Sequence, residues 1–152
     1  MLVEGIQAVM AADTGLQSIL GTPTTRSDKS TGLFPTQAPD EVPEPWIVYS
    51  QVSGSPLQEA YAGTGRLFTS RWRLSCYGSS YKQAKQLARA LKACLVGIQG
   101  PISILVSNVP TVAAQVEGSW LRLELDEAEP MLKGTVFVTH IDVMINYIDT
   151  DA

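Results

Sequence analysis

The chain has 152 residues, of which 45% are hydrophobic, and it carries a formal net charge of −4 at pH 7. This length and composition predict one globular domain with its own core and argue against general disorder. Its apolar runs all fall short of the about 20 residues that cross a bilayer, so we expect no membrane span. The N-terminus has no basic region ahead of an apolar one, which predicts no secretory signal.

The cysteine and histidine content predicts neither disulfides nor a metal centre. Cys76 and Cys94 each fall at an apolar position of a predicted strand or helix, which favours buried thiols in a reducing compartment. A metal site needs more ligands than these thiols and the single His140 supply.

The charges are segregated along the chain. Seven basic residues and no acid occur between residues 60 and 116, whereas the flanking segments hold all 15 acids. This pattern is consistent with intramolecular pairing, with a solvated helix face, or with complementary surfaces on neighbouring subunits. The net negative charge and the lack of interleaved aromatic residues argue against nucleic-acid binding.

The first 45 residues predict two short helices followed by an irregular segment. Apolar residues at helical spacing indicate helices at 2–11 and 14–20, with Asp13 available as a cap and Gly21 as the end. Periodicity is lost over 21–45, which contains five prolines. This long N-terminal arm is either a mobile segment that orders on a partner or a simple surface excursion.

The middle of the chain predicts strand, loop, strand and helix. Residues 46–53 are apolar on both sides, which indicates a central or covered strand. A loop at 54–65 leads to a strand at 66–77, in which Trp72 faces the core and Arg71 and Arg73 face away. The next helix has an apolar stripe that continues to residue 98 and a basic opposite face, and Ser80 and Gln83 fit a capping box.

The last third predicts strands only. We expect short strands at 102–106, 113–117 and 120–125, an acidic turn at 126–130, and a long strand over 135–147. The acidic turn lacks the spacing of a calcium loop, so we interpret it as solvated or as a partner for basic residues. Together the elements indicate an α+β fold, a mostly antiparallel sheet with helices packed on one face.

Three motifs resemble catalytic or binding sequences, and each has a simpler explanation. The run 79–82 matches the Ser-x-x-Lys pattern of acyl-transfer enzymes, but a helix cap explains its serines and Lys82 lies on a solvated face. The glycines in 63–65 precede a strand, whereas a phosphate-binding loop opens a helix. His140 and Asp142 share a strand face without a nucleophile motif. We therefore predict no enzyme and no cofactor.

Four stretches carry a resemblance to a known family: 45–49 with its proline before an Ile-Val-Tyr strand, 52–54, the alternating strand 71–77, and the helix start at 80–84. In these the chain resembles the tail-terminator (tail-completion) family of long-tailed bacteriophages and prophages. Members also begin with a short N-terminal helix. The matching motifs form the fold and are not catalytic.

The resemblance implies a structural virion protein that caps the tail tube, ends its polymerisation and forms the tail side of the head–tail junction. It implies a homo-oligomeric ring, usually a hexamer, that contacts the tail tube protein and a head–tail connector or stopper protein. Genomic DNA would pass through the ring without sequence-specific recognition. The ring would assemble in the bacterial host cytoplasm and end at the head-proximal end of the virion tail.

A closed ring needs two different patches on each subunit. The charge pattern predicts the following subunit-interface residues: Arg71, Arg73, Lys85, Arg89, Lys92, Asp126, Glu127 and Glu129. The loop 54–65 and the arm predict these contacts to the tube or connector: Gln58, Glu59, Tyr61, Arg66, Asp40 and Glu41. Alternative functions are a neck or head-closure ring and, from a different class, a small monomeric adaptor. A small hydrolase is a further alternative, for which the sequence offers no site.

Overall fold

The structure, a computed structural model, describes residues 2–39, 42–59, 66–131 and 134–149. The elements within these ranges are α1 (Leu2–Ala12), α2 (Thr14–Leu20), β1 (Leu33–Pro35), β2 (Trp46–Glu59), β3 (Arg66–Gly78), α3 (Tyr81–Leu95), β4 (Gly100–Val106), β5 (Val109–Met131) and β6 (Gly134–Asp149). The strands form one sheet in the order β1-β2-β3-β6-β5-β4. Every neighbouring pair is antiparallel except β1 and β2, which confirms the predicted α+β class. None of the helices in these ranges is both long and apolar enough to cross a membrane.

The main core lies between the helices and one face of the sheet. From α3, Leu87 and Leu91 are fully buried, because helical spacing places them on the same side as the sheet. They join one apolar cluster with Trp72 and Leu74 of β3 and Ile141 of β6. The predicted facing of β3, with its apolar side inward, is confirmed.

The predicted helices are confirmed, and their caps explain where they begin. Asp13 accepts a hydrogen bond from the Leu16 amide at 2.9 Å and starts α2. Ser80 accepts one from the Gln83 amide at 3.1 Å and starts α3. The Gln83 side chain accepts from the Ser79 amide at 2.8 Å, so the reciprocal bond of the capping box is displaced by one residue.

Helix α3 ends at Leu95, three residues before the end of its apolar stripe, because β5 holds its C-terminus. The Ser119 hydroxyl donates to the Leu95 carbonyl at 2.5 Å and accepts from the Ile98 amide at 2.9 Å. The Gly97 amide also donates to the Ser119 carbonyl at 3.1 Å. The bond to Leu95 satisfies a carbonyl that the end of a helix leaves without a partner, and the other two attach the residues after the helix to β5.

Two predicted connections are strands instead. The predicted loop 54–65 is wrong for residues 54–59, which extend β2 and pair with β3; residues 60–65 lie outside the described ranges. The predicted acidic turn 126–130 is also wrong, because these residues continue β5 and pair with β6. Pairing along a neighbouring strand outweighs the weak strand preference of acidic residues and proline.

Strand β5 is continuous over residues for which the sequence predicts two short strands and a turn. Two bulges explain why the alternation of apolar and polar residues does not reveal this strand. They lie between Val116 and Gly118 and between Leu121 and Leu123. A bulge adds a residue to one strand and changes which side the following residues face. Leucines alternate with charged residues over 121–125, yet Leu121, Leu123 and Leu125 are all exposed.

The described part of the N-terminal arm packs on the domain. Leu33 of β1 belongs to the main core. Val42 forms a second apolar cluster with Trp46 and Val136 on the opposite sheet face, where the Trp46 and Tyr77 rings stack 4.8 Å apart. The described part of this arm therefore lies against the domain at both sheet faces.

Arg26 holds this segment together, which the sequence did not indicate. Its buried guanidinium donates hydrogen bonds to the carbonyl oxygens of Leu20 at 2.8 Å, Pro45 at 2.6 Å and Pro43 at 3.0 Å. It also pairs with Asp28 at 3.1 Å. Partial burial raises the pKa of Asp28, but hydrogen bonds from Arg26 and Ser30 outweigh this effect and bring it to about 2.

Both cysteines are free. Cys76 is buried, which confirms the prediction for this thiol, whereas Cys94 is only partly buried. Burial raises the pKa of the Cys94 thiol to about 12 and that of Cys76 further still. Neither thiol is therefore ionised to a significant extent at neutral pH.

Replacing Arg26 tests this account of the arm. Arg26→Ala leaves three carbonyl oxygens without their donor, and we expect the free energy of unfolding to fall by about 2–4 kcal/mol. Lys29→Ala is the matched control, because Lys29 is an exposed cation of the same segment and its loss costs less than about 0.5 kcal/mol. Urea denaturation measures both, and equal losses would contradict the account.

Candidate functional site

The sheet face opposite the helices, called the open face here, has a charged centre formed by Arg71, Arg73 and Asp142. Arg73 of β3 is the register partner of Asp142 of β6. The Arg71 Nε donates to Asp142 Oδ2 at 2.9 Å, and its Nη2 bonds the same oxygen. The Arg73 Nε donates to Asp142 Oδ1 at 2.9 Å. One carboxylate, 1% exposed, therefore holds two guanidinium groups.

The charged centre stays ionised over a wide pH range. Burial by itself raises the pKa of Asp142, but hydrogen bonds from Arg73 and Arg71 outweigh it and hold that pKa below its usual range. The same hydrogen bond and charge raise the pKa of Arg73. Because the carboxylate is already paired twice, these arginines are less free to pair with an acid on another subunit.

Next to this centre, His140 is held by hydrogen bonds on both ring nitrogens. Its Nδ1 lies 2.7 Å from the Ser75 hydroxyl and its Nε2 lies 3.2 Å from a Glu127 carboxylate oxygen. Glu129 is also close, and potential ligand atoms of Glu127, Glu129 and His140 lie within 4.8 Å of one another. The hydrogen bond between His140 and Glu127 brings two of these three groups together.

A second charged cluster joins α3 to β5. Lys85 pairs with Glu124 at 3.3 Å and with Asp126 at 3.0 Å, and Lys92 pairs with Glu124 at 3.2 Å. The Tyr81 hydroxyl donates to Asp126 at 3.3 Å. Partial burial raises the pKa of Asp126, but the hydrogen bonds from Lys85 and Thr139 and the charge of Lys85 together outweigh this effect and lower that pKa. The segregated charges of the sequence therefore meet within one chain.

The remaining predicted interface residues are less constrained. Arg89 is exposed on α3 and makes no ion pair within the described part of the chain. Among the predicted tube or connector contacts, Glu59 of β2 lies opposite Arg66 of β3, and Gln58 lies next to them on β2. Tyr61, Asp40 and Glu41 lie outside the described residues.

Sequence reasoning missed the exposed apolar side chains of the β4 and β5 side of the sheet. Of the 11 large hydrophobic side chains that are exposed among the described residues, eight lie on these two strands. They are Leu105, Val106, Val109, Val112, Trp120, Leu121, Leu123 and Leu125. The alternating pattern of such strands predicts one buried side, so only the strand order and the bulges could indicate this exposure.

The charged centre predicts a pH-dependent stability. Asp142→Asn removes the charge that two arginines share, and we expect the free energy of unfolding at pH 7 to fall by about 2 kcal/mol. The Asp142 contribution is complete above the unfolded carboxyl pKa of about 3.9 and is lost as the pH falls through the lower folded value. The difference between the two proteins should therefore narrow in acid.

Urea denaturation at a series of pH values measures this difference. Glu124→Gln is the matched control, because its partners are partly exposed and such pairs contribute less than about 1 kcal/mol. A difference for Asp142→Asn that stays constant from pH 7 into acid would contradict a charged Asp142 in the folded state.

Comparison with known proteins identifies the family. The family model described as "Tail completion protein gp17" matches residues 4–124. A chain of the solved structure "Virion of native gene transfer agent (GTA) particle" is similar with a TM-score of 0.60 and 14% sequence identity. The similarity covers 94% of this chain and 91% of that one, and at this identity it shows a common fold. No curated protein matches the chain. Because the family model spans most of its length, the chain belongs to the tail completion protein gp17 family and is a structural protein of a virion tail.

Proposed function

We propose that the protein forms a ring, of six subunits, that caps the tail tube, ends its polymerisation and forms the tail side of the head–tail junction. One ring face would contact the tail tube protein and the other a head–tail connector or stopper protein. DNA would pass through the ring during packaging or delivery without being read. The ring would lie at the head-proximal end of the virion tail.

The observation that carries this proposal is the family match over residues 4–124, which runs from α1 into the exposed part of β5. A tail-completion protein acts after the tube has grown. Binding to the last tube ring and blocking the next addition is the simplest physical way to complete a polymer. The fold supports this role because its helices cover one sheet face and leave strand edges and the charged open face available for neighbours.

The charged residues would contribute to ring contacts to different extents, because some of them already have partners in their own chain. Arg71, Arg73, Lys85 and Lys92 have partners in their own chain, so we propose that they stabilise the subunit first. Arg89 is the interface candidate whose charge is most available to a neighbour, and Glu127 and Glu129 are the acids that would face it. The tube or connector contacts would come from the β2–β3 hairpin around Gln58, Glu59, Tyr61 and Arg66 and from Asp40 and Glu41.

A first test is the length of the tails in particles made without this protein. If it ends tube growth, its loss gives tubes of variable and excessive length without heads, and supplying the intact chain restores one length. Electron microscopy of lysates measures the length distribution. Tails of normal length that lack heads would contradict termination and favour the neck or head-closure ring.

A second test separates charge from shape at Arg89. Arg89→Glu reverses an exposed charge, so we expect a folded subunit whose ring dissociates at lower salt than the wild type. Arg89→Lys keeps the charge and is the matched control, expected to assemble like the wild type. Light scattering after size-exclusion chromatography across salt measures the oligomer. Equal assembly by both variants would exclude Arg89 from the contact.

A further inference from the structure

Strand β5 has a free edge with exposed apolar side chains. β4 pairs with β5 only from Val109 to Val116, and the Gly97 amide uses the carbonyl of Ser119. Beyond this point, over residues 120–129 and apart from the bulged Arg122, β5 pairs with β6 on one side and with no strand on the other within the described ranges. We call residues 120–129 the β5 edge. A strand edge of this kind presents unpaired amides and carbonyls to another chain.

The β5 edge carries three large hydrophobic side chains that are exposed. Trp120, Leu123 and Leu125 are 44%, 43% and 48% exposed. Their register partners on β6 are Met144, Asp142 and His140, so all three lie on the open face. Exposed apolar clusters of this sort mark interaction sites on soluble proteins.

The sheet has a second free edge on its opposite side. β1 covers β2 only at Ile47–Tyr49, so residues 50–55 of β2 have a neighbour on one side alone among the described strands, with a bulge at Val52 that interrupts the pairing with β3. We call them the β2 edge; it ends at Pro56, which has no amide hydrogen to donate. The β2 edge contains no charged residue, and Val52 within it is 49% exposed. Charges are a common protection of free edges, and this edge lacks them.

The directions of the two edges fit one another. β5 is antiparallel to β6, β6 to β3, and β3 to β2, so β5 and β2 run in opposite directions. When copies are related by rotation about an axis along the strands, the β5 edge of one copy therefore meets the β2 edge of the next in the antiparallel sense. The two edges differ in sequence and lie on opposite sides of the sheet, as a closing head-to-tail ring requires.

We propose that the β5 edge binds the β2 edge of a second copy of this chain, so that the sheets of neighbouring subunits join across the ring. This inference rests on the ring of the proposed function and names the contact that would close it. Backbone hydrogen bonds would set the register, and Trp120, Leu123 and Leu125 would be covered by the neighbour. The β5 edge lies further toward the Gly134 end of β6 than the β2 edge does, so the subunits would be staggered along the strands.

Charge placed on either edge tests the contact. The double variant Leu123→Glu with Leu125→Glu changes the β5 edge, and Val52→Glu changes the β2 edge. Each puts a carboxylate into an apolar contact, and we expect the concentration needed for assembly to rise on the order of a hundredfold. Leu105→Glu is the matched control, because Leu105 is 70% exposed on β4 outside both edges, and it should assemble like the wild type.

Mixing the two edge variants gives the sharper result. Each retains one intact edge, so a head-to-tail contact predicts that the mixture forms one-to-one dimers while each variant alone stays a monomer. Light scattering measures the mass, and unchanged circular dichroism and melting show that the subunits are folded. Dimer formation by the mixture also shows that the retained edges are intact.

Three outcomes would overturn the proposal. Normal assembly of the Val52→Glu variant would favour a symmetric contact between two β5 edges. Loss of assembly with Leu105→Glu would move the contact to the tip of the β4–β5 hairpin. A wild-type chain that stays a monomer at every concentration and salt would exclude self-association through these edges. Tail capping is judged separately by tail length, so it can stand when the edge contact fails.

Discussion

The structure depends on the pairing of β6 with strands on both of its sides. β3 bonds it from Phe137 to Ile148, and β5 bonds it from Gly134 to Asp149. The pairing on both sides of β6 places the arginines of β3 beside the buried Asp142. It also fixes which residues of β5 lie next to α3. It also extends β5 through acidic residues that would otherwise form a turn. The core, the charged centre and the exposed edge all follow from this register.

Most charged residues of the predicted interface pair within their own chain, so they stabilise the subunit and are less available for contacts between subunits. A buried carboxylate without partners would be costly, so Asp142 fixes both Arg71 and Arg73 close to the open face. Lys85 and Lys92 pair with Glu124 in a more exposed place, where each bond contributes little. Reversing Arg71 and Arg73 would thus damage the fold itself, which makes Arg89 the cleaner probe of a charged contact between subunits.

Assembly surfaces of this protein are better sought among unpaired backbone and exposed apolar groups than among charges. Ring closure needs two patches that fit one another and are absent from the rest of the surface. The β5 and β2 edges have opposite directions, differ in sequence and lie at the two sides of the sheet. The family match assigns the protein to the virion tail, and the edges offer a physical way to build a ring there.

The sequence by itself determined the fold class, the three helices with their caps at Asp13 and Ser80, and the inward side of β3. These features depend on local periodicity and on hydrogen bonds within a few residues. It also contained the motifs that resemble the tail-completion family. Only the tertiary structure decided that residues 126–130 are strand, that Arg26 holds the N-terminal arm, and that Asp142 pairs with two arginines 69 and 71 residues away. Long-range pairing sets these features, and a bulge in β5 reverses the side that a leucine faces without leaving a signal in the alternation.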